Sequence, residues 1–223
     1  DRAIDAWAEQ MPETLPEGWH ISTLDLRPFI NVFSPLSLKP GLILRAYQFF
    51  YFRDGETEIW ALPETAVFPP PDSDSEDEPP KPPEALDNVM TAIRGDGSPW
   101  SYLSASILAR ELTEVGTFGH ASEWTAYHIL DANPLHSDPL SQNTSPDRAP
   151  TGTAVAWQWH EPEPDNWLPT VQIDGSQISV TFYTYCGLDT QLFTHHTDIY
   201  TVGSYIPQQQ QQTIATGPEG YVW

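Results

Sequence analysis

Cysteine and basic residues are scarce in this chain. Among its 223 residues there is one cysteine, Cys186, which excludes an intrachain disulfide framework and favours a reducing, cytoplasmic location. Nine Lys and Arg against 31 Asp and Glu give a formal net charge of −22. Because nucleic-acid phosphates are repelled by such a surface, we expect no nucleic-acid binding and predict a protein partner with a basic surface.

Long apolar runs and common catalytic motifs are missing as well. No run of about 18 apolar residues occurs, so we expect no membrane span. The chain begins at Asp1 rather than at methionine, which is compatible with removal of an upstream segment. No dinucleotide fingerprint, P-loop, HExxH motif or Gly-x-Ser-x-Gly elbow is found. We therefore expect no cofactor, and the sequence leans against an enzyme.

Aromatic residues and prolines are abundant instead. Nine Trp, nine Tyr and nine Phe indicate a globular protein whose core depends on aromatic contacts, and 23 prolines indicate long irregular connections. Residues 69–83 combine prolines with acids, a composition typical of disorder. We predict one domain over residues 1–223, with a disorder-prone acidic insertion at 69–83.

The C-terminal third carries the strongest strand signals. Asp174-Gly175, flanked by alternating apolar residues, predicts a two-residue hairpin turn. This turn places alternate residues on one apolar face of a sheet: Val171, Ile173, Ile178, Val180 and Phe182.

A second turn is predicted at Gly187-Leu188, which would pair Phe182 with Phe193 and Val180 with His195. The other face is then polar and carries Gln172, Gln177, Ser179, Thr181, Tyr183, Tyr185, Thr194, His196, Asp198 and Tyr200. A loop one residue longer would instead place Thr194, His196 and Asp198 among the apolar residues. Since burying polar groups costs free energy, the shorter loop is preferred.

Helical spacing predicts three helices. Asp1–Gln10 forms the first; Leu86, Val89, Met90 and Ile93 mark a second that ends near Gly95; and Ser98 caps a third that begins at Pro99 and ends at Gly116. The helices near 86 to 115 are expected to cover the apolar sheet face. The predicted fold is therefore α+β, with an antiparallel sheet built from hairpins and one face covered by two or three helices.

Further strands are predicted at 19–26 and at 42–52, the latter central because it is aromatic on both sides. Asp54-Gly55 is expected to turn the chain back into another strand. Residues 124–130 fit either a strand or a short helix. The Gln208–Gln212 run reads as a polar spacer before a last strand.

The polar sheet face supplies the candidate site. Tyrosines are enriched at interfaces, so we predict that Tyr183, Tyr185, Tyr200, Thr181, Thr194 and His196 bind another protein, and that the chain is a non-catalytic binding or assembly factor. The alternative is a metal-dependent hydrolase using His196 and Asp198, about 6.6 Å apart by strand rise. A second alternative is an inhibitor that mimics nucleic acid, which requires dense carboxylates along its strands or helices. A Cys186–His195 nucleophilic pair is excluded by the predicted register.

Overall fold

The computed structural model describes residues 17–52, 54–72, 77–117, 124–135 and 157–220. Strands account for 44% of this part of the chain and helices for 16%, so the protein is largely β. The predicted α+β fold with two or three helices over one sheet is wrong. The chain divides into two compact units: unit 1 holds the described residues up to Thr125 together with Tyr200–Pro207, and unit 2 holds Ala126–Ile199 and the residues from Gln208.

Unit 1 contains a three-stranded antiparallel sheet in the order β1-β3-β4. Its strands are β1 (Gly18–Ile21), β3 (Leu42–Tyr51) and β4 (Asp54–Pro63). The prediction that the 42–52 strand is central is confirmed. Tyr51 pairs with Asp54, so the Asp-Gly pair lies within β4 and the turn comes before it.

A second, small sheet in unit 1 replaces one of the predicted helices. Strand β2 (Leu36–Leu38) follows helix α1 (Arg27–Asn31) and pairs with β5 (Ile93–Gly95). The predicted helix ending near Gly95 is wrong, because only Val89–Ala92 forms a short 3-10 helix, capped by the Asn88 side chain, which accepts from the Met90 N–H at 2.8 Å. The apolar spacing covers barely one turn before the chain is paired as a strand.

Helix α2 (Pro99–Glu114) confirms the last predicted helix. The Ser98 hydroxyl accepts a hydrogen bond from the Ser101 N–H at 3.2 Å, and Pro99 occupies the first turn as expected. The helix packs against β2 and β4. It is buried nearly all round, whereas Trp100, predicted to face inward, is 58% exposed.

Unit 2 contains a six-stranded sheet in the order β6-β9-β10-β11-β7, with β8 also paired to β9. Its strands are β6 (Tyr127–Ile129), β7 (Gln158–Trp159), β8 (Thr170–Asp174), β9 (Gln177–Cys186), β10 (Thr190–Thr201) and β11 (Gln208–Glu219). For the segment at 124–130 the sequence fitted either a strand or a short helix. It contains both, because a 3-10 helix over Trp124–Ala126 precedes β6. The glutamine run is not a spacer, because it lies in β11.

The β8–β9 hairpin keeps the predicted faces with a shifted turn. Val171 pairs with Val180 and Asp174 with Gln177, so Gly175 and Ser176 form the turn, with Gly175 at φ 58. The pairing moves by two residues, and an even shift leaves every side chain on its predicted face. Ile178, Val180 and Phe182 are accordingly buried.

Strand β10 has the opposite orientation to the predicted one. His196 stacks on Phe182 with ring centroids 4.7 Å apart, and His195 stacks on Tyr183 at 4.8 Å. The partner of Phe182 thus moves by three residues from the predicted Phe193, and an odd shift exchanges the two faces of a strand. The predicted two-residue connection is wrong, since β9 ends at Cys186 and β10 begins at Thr190.

Two expectations concern residues beyond this description: the helix over Asp1–Gln10 and positions 73–76 of the acidic insertion. The flanks of that insertion are anchored in unit 1, because the Tyr47 hydroxyl donates to the Pro69 carbonyl at 2.8 Å and Pro79 and Pro82 are buried. Within the described ranges, no helix is long and apolar enough to cross a membrane.

Candidate functional site

The six predicted binding residues do not share a surface. Thr181, Tyr183 and Tyr185 are half-buried on one face of β9. Thr194, His196 and Tyr200 are buried, with exposures of 5%, 1% and 2%. The prediction that they form a single polar face is therefore wrong. Whether these residues bind another protein is not tested by the structure and stays a prediction.

Tyr183 and Tyr185 pack against an aromatic cluster in unit 2. Its buried centre consists of Trp167, Phe193, Ile214 and Ala215, and the half-buried Trp157, Trp159, Tyr183 and Tyr185 surround it. Trp157 stacks on Phe193 with ring centroids 4.1 Å apart, and Trp167 contacts Tyr183 at 5.3 Å. Burial raises the pKa of the Tyr183 phenol. Both tyrosines therefore contribute to a packed layer of the fold.

Tyr200 belongs to a hydrogen-bonded network in unit 1. Its hydroxyl lies 2.8 Å from the Ser106 hydroxyl of α2, and its ring meets the edge of Tyr102. Tyr102 in turn stacks on Tyr205 at 4.8 Å and accepts the Gly203 N–H through its hydroxyl. These contacts account for the burial of the three tyrosines.

The two candidate metal ligands, His196 and Asp198, lie on β10 and are almost fully buried. The His196 Nε2 atom lies 2.9 Å from the Thr184 hydroxyl. Across the described residues, no group of three or more His, Cys, Asp or Glu side chains could hold a metal ion. The two residues predicted for a metal-dependent hydrolase thus lie on the same strand, and the hydrolase activity itself stays a prediction.

A different surface combines aromatic rings with carboxylates, on the β3–β4 hairpin. Directly paired residues of antiparallel strands share a face, and the pairs are Tyr47 with Glu58, Phe49 with Glu56 and Tyr51 with Asp54. We call these six residues the β3–β4 face.

The exposure of this face increases towards the hairpin turn. Tyr47 is buried and stacks on Phe68 with centroids 4.3 Å apart. Phe49 is half-buried against Trp19, at 5.2 Å, while Tyr51 is 60% exposed. Phe49 is thus held by packing against Trp19, while the Tyr51 ring is accessible at the hairpin end.

The carboxylates of the β3–β4 face are crowded. The pKa of Glu58 is raised by burial first, and then by the negative charges of Glu78 and Glu56. The ion pairs in the described part of the chain join Arg27 to Asp25 and Lys81 to Asp87, so none involves these three glutamates. A cation brought to this position would lower the repulsion between them.

The residues that form this face are recognisable in the sequence. Tyr47, Phe49 and Tyr51 fall on one side of their strand, and Glu56 and Glu58 follow in the next strand. Either hairpin turn, the predicted one or the observed one, puts Tyr51 and Glu58 on the same side. Comparisons with protein-family models, curated proteins and solved structures give no match for the chain. Its functional interpretation therefore depends on this geometry.

Proposed function

We propose that the protein is a non-catalytic binding or assembly factor that holds a basic segment of another protein against the β3–β4 face. The crowding of Glu56, Glu58 and Glu78 next to the aromatic rings of this face is the observation that carries the proposal. Like charges held together without an ion pair in the described residues favour a cationic partner.

The chemistry of the face suits lysine and arginine side chains. Carboxylates accept charge-assisted hydrogen bonds from ammonium and guanidinium groups, and the faces of Tyr51 and Phe49 attract cations through the ring quadrupole. The net charge of −22 adds a long-range attraction that accelerates encounter with a basic surface.

Binding to this face is expected to depend on pH. The raised pKa of Glu58 means that its carboxylate is more easily protonated than an ordinary glutamate. A bound cation favours the charged form, so partner binding releases protons wherever Glu58 is partly protonated. Affinity should therefore decrease as pH falls through the titration range of Glu58.

The test is fluorescence anisotropy with a labelled peptide of alternating lysine and alanine, titrated with wild-type protein and with Glu56→Gln/Glu58→Gln. Loss of two partly desolvated ion pairs is expected to weaken binding by about 1–2 kcal/mol, or about five- to thirtyfold. Tyr51→Ala should weaken it by a smaller factor, since a cation–π contact at an exposed ring contributes about 0.5–1 kcal/mol.

The matched control is Asp131→Asn/Asp165→Asn, which removes the same charge from exposed positions of unit 2. If the control weakens binding as much as the glutamate pair, the affinity is due to net charge alone and the β3–β4 face is excluded. Unchanged binding by both double variants would likewise reject the proposal.

A further inference from the structure

Unit 1 contains a cavity of about 860 Å³ at the place where β1 separates from β3. The two strands are paired up to Ile21 and Tyr47, and the Ser22 N–H still donates to the Ala46 carbonyl at 2.9 Å. Beyond this point the chain departs through residues 23–26 into α1. Residues 42–45 of β3 then form one wall of the cavity.

The exposed edge of β3 offers polar backbone groups to this cavity. Peptide groups alternate between the two edges of a strand, so the N–H and C=O of Leu44 point to the same edge as those of Ala46. That is the edge that β1 has left. The Leu42 N–H on this edge is already bonded to the Lys39 carbonyl at 3.3 Å. Among the described residues this leaves Leu44 as a single open position, which is too short a stretch for an added strand and suits a small ligand.

Basic side chains are concentrated around the cavity. Among the six lysines and arginines that the structure describes, three line it, namely Arg27, Lys39 and Arg45. The other three are Lys81, Arg94 and Arg110. Two acids, Asp25 and Glu64, also line the cavity, so its charged side chains sum to a positive value in a chain of net charge −22. This local reversal of sign points to an anionic ligand.

The three basic side chains differ in the hydrogen bonds that they already make. The Arg27 guanidinium donates to the Asp25 carboxylate at 3.0 and 2.9 Å, and the Lys39 ammonium donates to the Thr91 carbonyl at 2.7 Å. Arg45 is exposed and has no hydrogen-bond or ion-pair partner among the described residues. Arg45 is therefore the side chain that can take an anion without giving up another contact.

The lining of the cavity also includes a group of apolar side chains. Leu26, Ile30 and Leu44 are buried, while Leu24, Leu38 and Ile43 are half-buried. A cavity of this size that combines apolar side chains with polar groups able to fix orientation can hold a small organic molecule.

We propose that this cavity binds a small organic anion, with its apolar body against the leucine and isoleucine side chains and its acidic group on Arg45 and the Leu44 N–H. None of the β3–β4 face carboxylates lines this cavity, although Arg45 lies on the same side of β3 as Tyr47.

The test uses anilinonaphthalene sulfonate, a fluorescent probe with an aromatic body and one anionic group, on the full chain. We expect saturable binding and displacement of the probe by decanoate, with decan-1-ol much weaker because it lacks the charge. Arg45→Gln should weaken the binding of the probe about tenfold or more, since a hydrogen bond to a charged group contributes about 1.5–3 kcal/mol. Arg45→Lys should retain part of the affinity.

Arg94→Gln is the control, because it removes the same charge outside the cavity and should leave probe affinity unchanged. Circular dichroism verifies that each variant is folded. Because Arg45 is exposed, we expect its replacement to leave the fold intact. Equal loss in the Arg45→Gln and Arg94→Gln proteins overturns the proposal, as does displacement by decan-1-ol at the same concentration as decanoate. A shift of the Leu44 amide resonance on adding decanoate would place the ligand in the cavity, and no shift there would exclude it.

Discussion

Replacing Gly95 with alanine tests whether the tyrosine network of unit 1 is as rigid as its contacts indicate. A Cβ atom at Gly95 would lie 2.4 Å from the Tyr205 ring, well inside van der Waals contact. Gly95 is not among the glycines with positive φ, so the alanine backbone itself is unstrained. The whole cost of Gly95→Ala therefore depends on whether Tyr205 can move.

Several contacts keep Tyr205 in place. Its ring stacks on Tyr102, and its hydroxyl accepts the Gly97 N–H at 2.9 Å and lies 2.9 Å from the Ser101 hydroxyl. Overpacking of a dense core costs about 1–3 kcal/mol. Displacing the hydroxyl leaves buried polar groups without a partner, at about a further 1–3 kcal/mol. We expect Gly95→Ala to lower the free energy of unfolding by about 2–6 kcal/mol.

Urea unfolding of a double-mutant cycle measures this. In a Tyr205→Ala background the steric conflict is gone, so adding Gly95→Ala should cost under about 0.5 kcal/mol, with a coupling energy nearly equal to the single-variant loss. A cost that is the same in both backgrounds would refute the argument, because it would place the effect elsewhere than on Tyr205.

Two further predictions concern stability. Burial lowers the pKa of His195, so below about pH 6.5 the unfolded chain binds a proton at this residue more readily than the folded chain does. The free energy of unfolding should therefore decrease with acidification. In His195→Gln the urea midpoint should depend less steeply on pH than in the wild type, and an unchanged pH dependence would count against this explanation. Ser98→Ala removes the cap of α2 and should cost about 1 kcal/mol in urea unfolding, whereas Ser98→Asp should restore it; equal stability of all three proteins would show that the cap is dispensable.

Local chemistry made some elements predictable. Ser98-Pro99 marks a helix start through a cap and a fixed φ, and Gly175 marks a turn through its freedom at positive φ. The helix predicted from Leu86 to Gly95 is wrong because its last residues pair with β2, and the paired residues Ser37 and Arg94 are 57 positions apart in the chain. Such a long-range pairing overrides local spacing and leaves no local mark.

The prediction of the orientation of β10 was wrong for an energetic reason. The shorter loop was preferred because it kept Thr194, His196 and Asp198 out of the apolar layer. The penalty for burial applies to polar groups without partners, and His196 has a partner, because its Nε2 atom lies 2.9 Å from the equally buried Thr184 hydroxyl. The pattern of apolar residues alone could not show that β9 supplies this hydroxyl.

Helices were expected over the sheet face that carries Ile178, Val180 and Phe182, and the opposite face was expected to be open for binding. In unit 2 that opposite face, which carries Tyr183 and Tyr185, is covered by single aromatic side chains. Trp167, from the loop between β7 and β8, meets Phe193 at 5.4 Å and Trp159 at 6.4 Å. An aromatic side chain buries about 150–250 Å², so a few of them shield a short sheet face without a helix. The same layer excludes water from His195, whose depressed pKa is the electrostatic consequence. Replacing Trp167 with alanine should therefore move the pKa of His195 back towards about 6.5, by an amount that NMR titration of the imidazole would measure.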